Sequence, residues 1–166
     1  MLPGRKRTYA PRGCTPILHA PCRYDHLSVM AAVTMEGQFY ARVRARSLNS
    51  FDSVAFVQRL QARWPENKLL VIWDGSPIHR FKAMCAFQQT PAAANFTFER
   101  LPGYAPDLNP LDTGVWHHLK NVTLANVCCQ NLDQLQEELA RAIKALRAKP
   151  RLIQACFGTA KLSLQL

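Results

Sequence analysis

Two acids stand where a carboxylate could do chemistry. Asp74 closes the apolar run Leu69-Leu70-Val71-Ile72-Trp73 and is followed by Gly75. Asp112 follows the proline-stiffened stretch Leu101-Pro102-Gly103-Tyr104-Ala105-Pro106-Asp107-Leu108-Asn109-Pro110-Leu111. The carboxyl end of a buried strand is where open α/β sheets bind ligands. An acid there is costly to bury without a partner or a cation. An acid delivered by a stiff loop at a helix start has the fixed position that metal chemistry demands. Mg²⁺ takes oxygen ligands and keeps water and phosphate oxygens in its shell. Two such ions about 4 Å apart activate a water or a 3′-hydroxyl and stabilise the leaving oxygen of a phosphodiester. Each acid also has a plainer use. Asp112 suits a helix dipole, and Asp before Gly is ordinary where a strand turns. Spacing alone leaves both readings open.

The elements that must position these acids can be read from periodicity. Residues 1–16 are basic and rich in Pro and Gly, an irregular lead-in. Ile17 to Ala20 and Leu27 to Val33 read as strands, with a turn at Met35 to Gln38. From Phe39 to Ser47 the chain alternates: Phe39, Ala41, Val43 and Ala45 on one face, Tyr40, Arg42, Arg44 and Arg46 on the other. Asn49, with Asp52 three residues on, forms a capping box for a helix carrying Phe51, Val54, Val57, Leu60 and Trp64 towards the core and ending near Pro65. The run up to Asp74 does not alternate, as expected of a strand covered on both faces. A helix is expected over Ile78–Gln89 and a strand over Phe96–Arg100. Asn109 is a good N-cap and Pro110 a good first helical residue, which places Asp112 in the first turn. Asn131 caps a long helix whose apolar stripe is Leu132, Leu135, Leu139, Ile143 and Leu146. After Pro150 the chain forms one more short helix or a frayed end. The order predicts one α/β domain: three antiparallel strands, then strands alternating with helices.

Composition bounds the partners. The 166 residues are 48% hydrophobic and 19% charged, which describes a globular chain rather than a disordered one. The net charge of +10 favours a polyanion, nucleic acid before acidic membrane, over a merely basic protein. No apolar run approaches the ~20 residues of a membrane helix. The start, Met1 to Arg7, has charge but no apolar segment behind it, so it is not a signal peptide. The six cysteines show neither a C-x-x-C pair nor zinc spacing, and read as reduced thiols without an assigned role.

The surroundings of the two acids narrow the choice. Asp74-Gly75-Ser76-Pro77-Ile78-His79-Arg80, then Leu101 through Trp116 with its Tyr104-Ala105-Pro106-Asp107-Leu108-Asn109-Pro110 string, then Leu119-Lys120, closely resemble the catalytic domain of mariner-type DDE transposases. The branch resembled is that of bacterial insertion sequences. The lead-in Arg7 to Pro16 resembles the family as well. The resemblance implies a ribonuclease H-like mixed sheet flanked by helices, and three carboxylates holding two Mg²⁺ (or Mn²⁺) ions for DNA strand cleavage and strand transfer. Asp74 matches the second carboxylate. Asp112 matches the third, which in this branch is more often Glu; the shorter side chain reaches about 1.5 Å less. His79 falls where the family carries a His after the second acid, and Asn109 and Trp116 belong to the long motif as supporting residues. The first carboxylate is expected on a strand ahead of Arg7, so the chain is expected to lack its first strand and the family's helix-turn-helix region. Three origins stand open: an internal-start product, a truncated pseudogene product, or half of a frame-shifted pair.

The same resemblance implies DNA partners, transposon ends and target, with a second copy or a full-length transposase, in a bacterial cytoplasm at the nucleoid and at no membrane. Arg42, Arg44 and Arg46 form a comb, and Lys120 lies two helical turns beyond Asp112; these are the candidate phosphate contacts. A solvated outer face is the plainer use of the comb. A competing function is a non-catalytic nucleic-acid-binding remnant. A third is a ribonuclease H-like nuclease that recruits Asp25 as its missing ligand.

Overall fold

A computed structural model describes residues 6–7, 9–17, 19 and 25–162. Strands β1 (Ser28–Val33) and β2 (Phe39–Arg44) form an antiparallel hairpin, with Ser28 opposite Arg44 and Val33 opposite Phe39. Gly37 turns the chain at φ 83°, and a Cβ there would collide with the Pro150 carbonyl. The alternation along β2 holds. Phe39, Ala41 and Val43 join the main core with Val29, Ala31 and Val33. The opposite face meets helix α1 (Ser50–Gln61) through Arg44 and Arg46, which reach Asp52. Of the expected Ile17–Ala20 strand, Leu18 and Ala20 lie outside the described residues, and Ile17 and His19 belong to no strand.

Helix α1 starts with the expected capping box: the Asn49 side chain accepts from the Asp52 N–H, and Asp52 accepts from the Asn49 N–H. Its first turn buries Asp52 and Ser53, so Phe51 points outward and is 74% exposed rather than core-facing. The helix ends at Gln61, ahead of the expected Pro65, in turns tied by Gln61 Nε2 donating to the Trp64 carbonyl at 2.8 Å.

Strand β3 (Leu69–Trp73) and strand β4 (Phe96–Arg100) pair in parallel, from Leu69 beside Phe96 to Trp73 beside Arg100. Helix α2 (Lys82–Gln88) bridges them, as parallel strands require. The expected helix over Ile78–Gln89 is split. Pro77–His79 forms a separate 3₁₀ turn, because Phe81 takes an extended backbone before α2 begins. A second core gathers Val57, Met84, Phe87 and Ala93 with Val71, Trp73, Phe96 and Phe98. Coverage of β3 on both faces is not observed: Leu70 is 57% and Ile72 44% exposed, and only Leu69, Val71 and Trp73 face inward. Among the described residues the hairpin and the parallel pair are two separate two-stranded sheets.

Short helix α3 (Trp116–His118) lies between two π-helical segments, Leu111–Val115 and Leu119–Thr123. Helix α4 (Leu132–Arg147) begins as expected, the Gln134 N–H donating to the Asn131 side chain at 2.8 Å. It buries Leu139, Ala142, Ile143 and Leu146. After Pro150 the chain forms a further helix, α5 (Pro150–Thr159), with Pro at its first position. It packs Ile153 and Cys156 into the main core beside Val115 and Leu119. No helix among the described residues is long and apolar enough to cross a membrane.

Candidate active site

Asp74 is the first residue beyond β3. Its Oδ1 accepts from the Ser76 N–H at 2.9 Å, an Asx turn that fixes the carboxylate's direction. The 3₁₀ turn then returns His79 to it, with Nε2 3.4 Å from the same oxygen. The His79 ring stacks on Trp73 with centroids 4.5 Å apart, and Trp73 stacks on Phe98 at 4.8 Å. Burial lowers the His79 pKa and outweighs the opposing pull of Asp74. Burial therefore favours the neutral ring, whose Nε2 faces the Asp74 carboxylate. Its Nδ1 is buried without a hydrogen-bond partner.

Asp112 is held by Asn109. The Asn109 Nδ2 donates to Asp112 Oδ2 at 2.7 Å, and its Oδ1 accepts from the Leu111 N–H at 3.1 Å. The Asn109 carbonyl accepts from the Asp112 and Thr113 N–H groups, both at 3.0 Å. Asn109 thus caps the segment and orients its acid together. The segment is π-helical, not the regular helix expected, and π turns recur at functional sites. Gly114 lets α5 approach: a Cβ there would collide with the Cys156 sulfur. Upstream, Tyr104 is fully exposed at φ 56°, an uncommon backbone for an aromatic residue.

Asp74, Arg100, Asn109 and Asp112 line one cleft of roughly 420 Å³, walled by the Leu101–Pro106 loop. Each acid is anchored through one oxygen. Asp74 Oδ2 and Asp112 Oδ1 have no hydrogen-bond partner among the described residues. Two hard oxygen donors left free in one cleft fit a divalent cation such as Mg²⁺ or Mn²⁺. Among the described residues no group of three His, Cys, Asp or Glu side chains converges on a metal position, so Asp25 does not complete the pair.

Other expected residues stand elsewhere. Trp116 is half-buried against the main core. Lys120 is exposed and does not line the cleft. Its expected placement on the Asp112 face assumed α-helical phase, which the i→i+5 bonding of the π segments removes. Arg46 donates to both Asp52 oxygens, at 2.7 and 3.0 Å, and Arg44 approaches one at 3.9 Å. Arg42 is half-buried, with its Nε unpartnered. Arg100 was missed by sequence reasoning, as the last residue of a short strand. Its signal was positional: in a parallel pair it sits beside Trp73, next to Asp74.

The family described as DDE superfamily endonuclease matches residues 3–136. No curated protein sequence matches the chain at a significant level. Its fold is shared by solved structures that include three of Mos1. The Mos1 transposase paired-end complex with left transposon end is 18% identical, with a TM-score of 0.59 over 95% of this chain and 51% of that chain. The Mos1 mariner paired end complex with Mn is 18% identical, with a TM-score of 0.57 over 95% and 51%. The Mos1 strand transfer complex is 18% identical, with a TM-score of 0.55 over 95% and 50%. The chain thus spans about half the length of the solved chains it matches, and its mixed α/β architecture is the ribonuclease H-like one.

Proposed function

The chain belongs to the DDE superfamily endonucleases, and from that premise we propose that it is a transposase catalytic domain for metal-dependent DNA strand cleavage and strand transfer. The observation that carries the reading is the pair Asp74 and Asp112, on separate elements, lining one cleft with a free oxygen each. A bound Mg²⁺ or Mn²⁺ supplies Lewis acidity at a phosphodiester, two ions serving the complete site. The chain's own residues do the positioning. Asp74 and Asp112, each with an oxygen free, would hold the metal. Ser76 and Asn109 hold the anchored oxygens, and His79 places its Nε2 beside the same Asp74 oxygen. Trp116 seats the Asp112 segment on the core.

Lys120 and the exposed edges of Arg42, Arg44 and Arg46 bind backbone phosphates outside the cleft. Arg46 keeps 55% of its side chain exposed while it holds Asp52. The partners in this reading are transposon-end and target DNA and a second transposase copy, in a bacterial cytoplasm at the nucleoid. In this reading the family's first carboxylate is not among the described residues that line the cleft. The test is Mg²⁺- or Mn²⁺-dependent nicking of the element's end by a version that carries all three carboxylates of the family. Asp74→Asn should cut nicking roughly a hundredfold or more; unchanged nicking contradicts the assignment.

A second reading is favoured by the lack of a third metal-capable side chain among the described residues together with the +10 charge. In it the chain as given binds nucleic acid or a full-length transposase without cutting. It predicts salt-dependent, sequence-independent DNA binding and no cleavage. Binding that ignores salt contradicts it.

A further inference from the structure

We propose that Arg100 is the phosphate-binding residue of the Asp74–Asp112 cleft. The inference rests on the transposase reading for the identity of the ligand, and on the side chain's placement for its role. Arg100 ends β4 beside Trp73, so it reaches the cleft from the strand next to the one that delivers Asp74. Among the described residues that line the cleft it is the sole cation, facing two acids. It forms an ion pair with neither acid, although one bidentate pair would satisfy both its fork and a carboxylate. It has no side-chain hydrogen bond to any described residue.

The side chain is exposed and rests against Gly75 instead. The guanidinium lies across Gly75, with Nη2 3.0 Å, Nε 3.3 Å and Cζ 3.4 Å from where a Cβ would stand. Those are the three atoms such a Cβ meets first, and the Gly75 backbone lies outside the left-handed region. A Cβ at position 75 would meet this side chain first, and the exposed guanidinium would give way by a few tenths of an ångström. A planar, always-charged fork lining one cleft with two carboxylates, yet bonded to neither, matches a phosphodiester oxygen pair. Cations on the acids' free oxygens and Arg100 on the phosphate would together offset the charge of a DNA backbone drawn into an otherwise acidic cleft.

The experiment is DNA binding by the full chain, measured by fluorescence anisotropy with a short duplex in Ca²⁺, across a salt series. Arg100→Ala should weaken binding roughly tenfold and lower the slope of log affinity against log salt by about one. Arg100→Lys should keep the slope and recover part of the affinity, since the charge stays and the fork is lost. Gly75→Ala leaves every charge in place but pushes the guanidinium aside by a few tenths of an ångström; it should weaken binding about twofold to threefold. Circular dichroism of each variant reports whether the fold is kept. If the wild-type chain binds DNA and Arg100→Ala binds equally with the same slope, the Arg100 proposal is overturned and the transposase reading stands. If the wild-type chain binds no DNA at any salt, both are overturned.

Discussion

The chain holds its acids in two contrasting ways. Asp52 is 4% exposed, and both its oxygens are taken: by the Arg46 fork, by the Asn49 N–H and by the nearby Arg44. Asp74 and Asp112 are exposed, and each keeps one oxygen free. The first acid is spent on joining the hairpin to α1. The other two are oriented by neighbours that leave work undone. Asp52 differs from the two cleft acids both in burial and in the number of lone pairs already in use. The contrast also recasts the arginine comb: its Arg44 and Arg46 are first of all partners of Asp52.

The sharpest ways to break the contrast act on stability. Gly114→Val drives side-chain atoms into Cys156 beneath the Asp112 segment. Chemical denaturation should show a loss of about 2–3 kcal/mol. Asp52→Ala removes the capping box and the anchor of Arg46 and should cost about 1–2 kcal/mol in the same assay. Asn109→Ala removes a cap and frees Asp112 to turn; about 1 kcal/mol should be lost, with metal affinity lowered as well. Asp74→Asn should shift stability by no more than about 0.5 kcal/mol, because nothing in the fold depends on its charge.

The Asp52 knot should also have a pH signature. Hydrogen bonds from Arg46, then the Asn49 N–H and the neighbouring arginines, hold its pKa below the ordinary value of 3.8. A carboxylate depressed in the fold stabilises it above the unfolded value, and that stability is lost as pH falls through the folded one. Stability should therefore decline as pH drops below about 4, and Asp52→Asn should flatten part of that decline. An unaltered profile in the variant would remove the distinction between the two regions.

Local chemistry made much of this legible in the sequence. Asn49 with Asp52 and Asn131 with Gln134 announce helix starts within four residues, and the alternation of β2 sorts its faces. Strand end and stiff loop made Asp74 and Asp112 candidates, but spacing left both uses open and only the resemblance of the surrounding motif favoured the metal one. What was not legible depends on distant packing. The π turns at Asp112 go with the Gly114–Cys156 contact, made by a helix far along the chain. The exposure of Leu70 and Ile72 reflects which neighbours β3 has, and an apolar run cannot report that. Arg46 gives no local sign that its partner is Asp52 on the following helix, and Arg100 gains its place only when β4 is laid beside β3.

The central claim is that the free oxygens of Asp74 and Asp112, and not the saturated ones of Asp52, make a divalent-cation site. A Mn²⁺ titration of the full chain, reading free ion by electron paramagnetic resonance, tests it directly. Asp74→Asn and Asp112→Asn should each weaken Mn²⁺ binding about tenfold or more, while Asp52→Asn, measured where it remains folded, should leave it unchanged. Equal Mn²⁺ affinity in the wild type and both cleft variants would contradict the account.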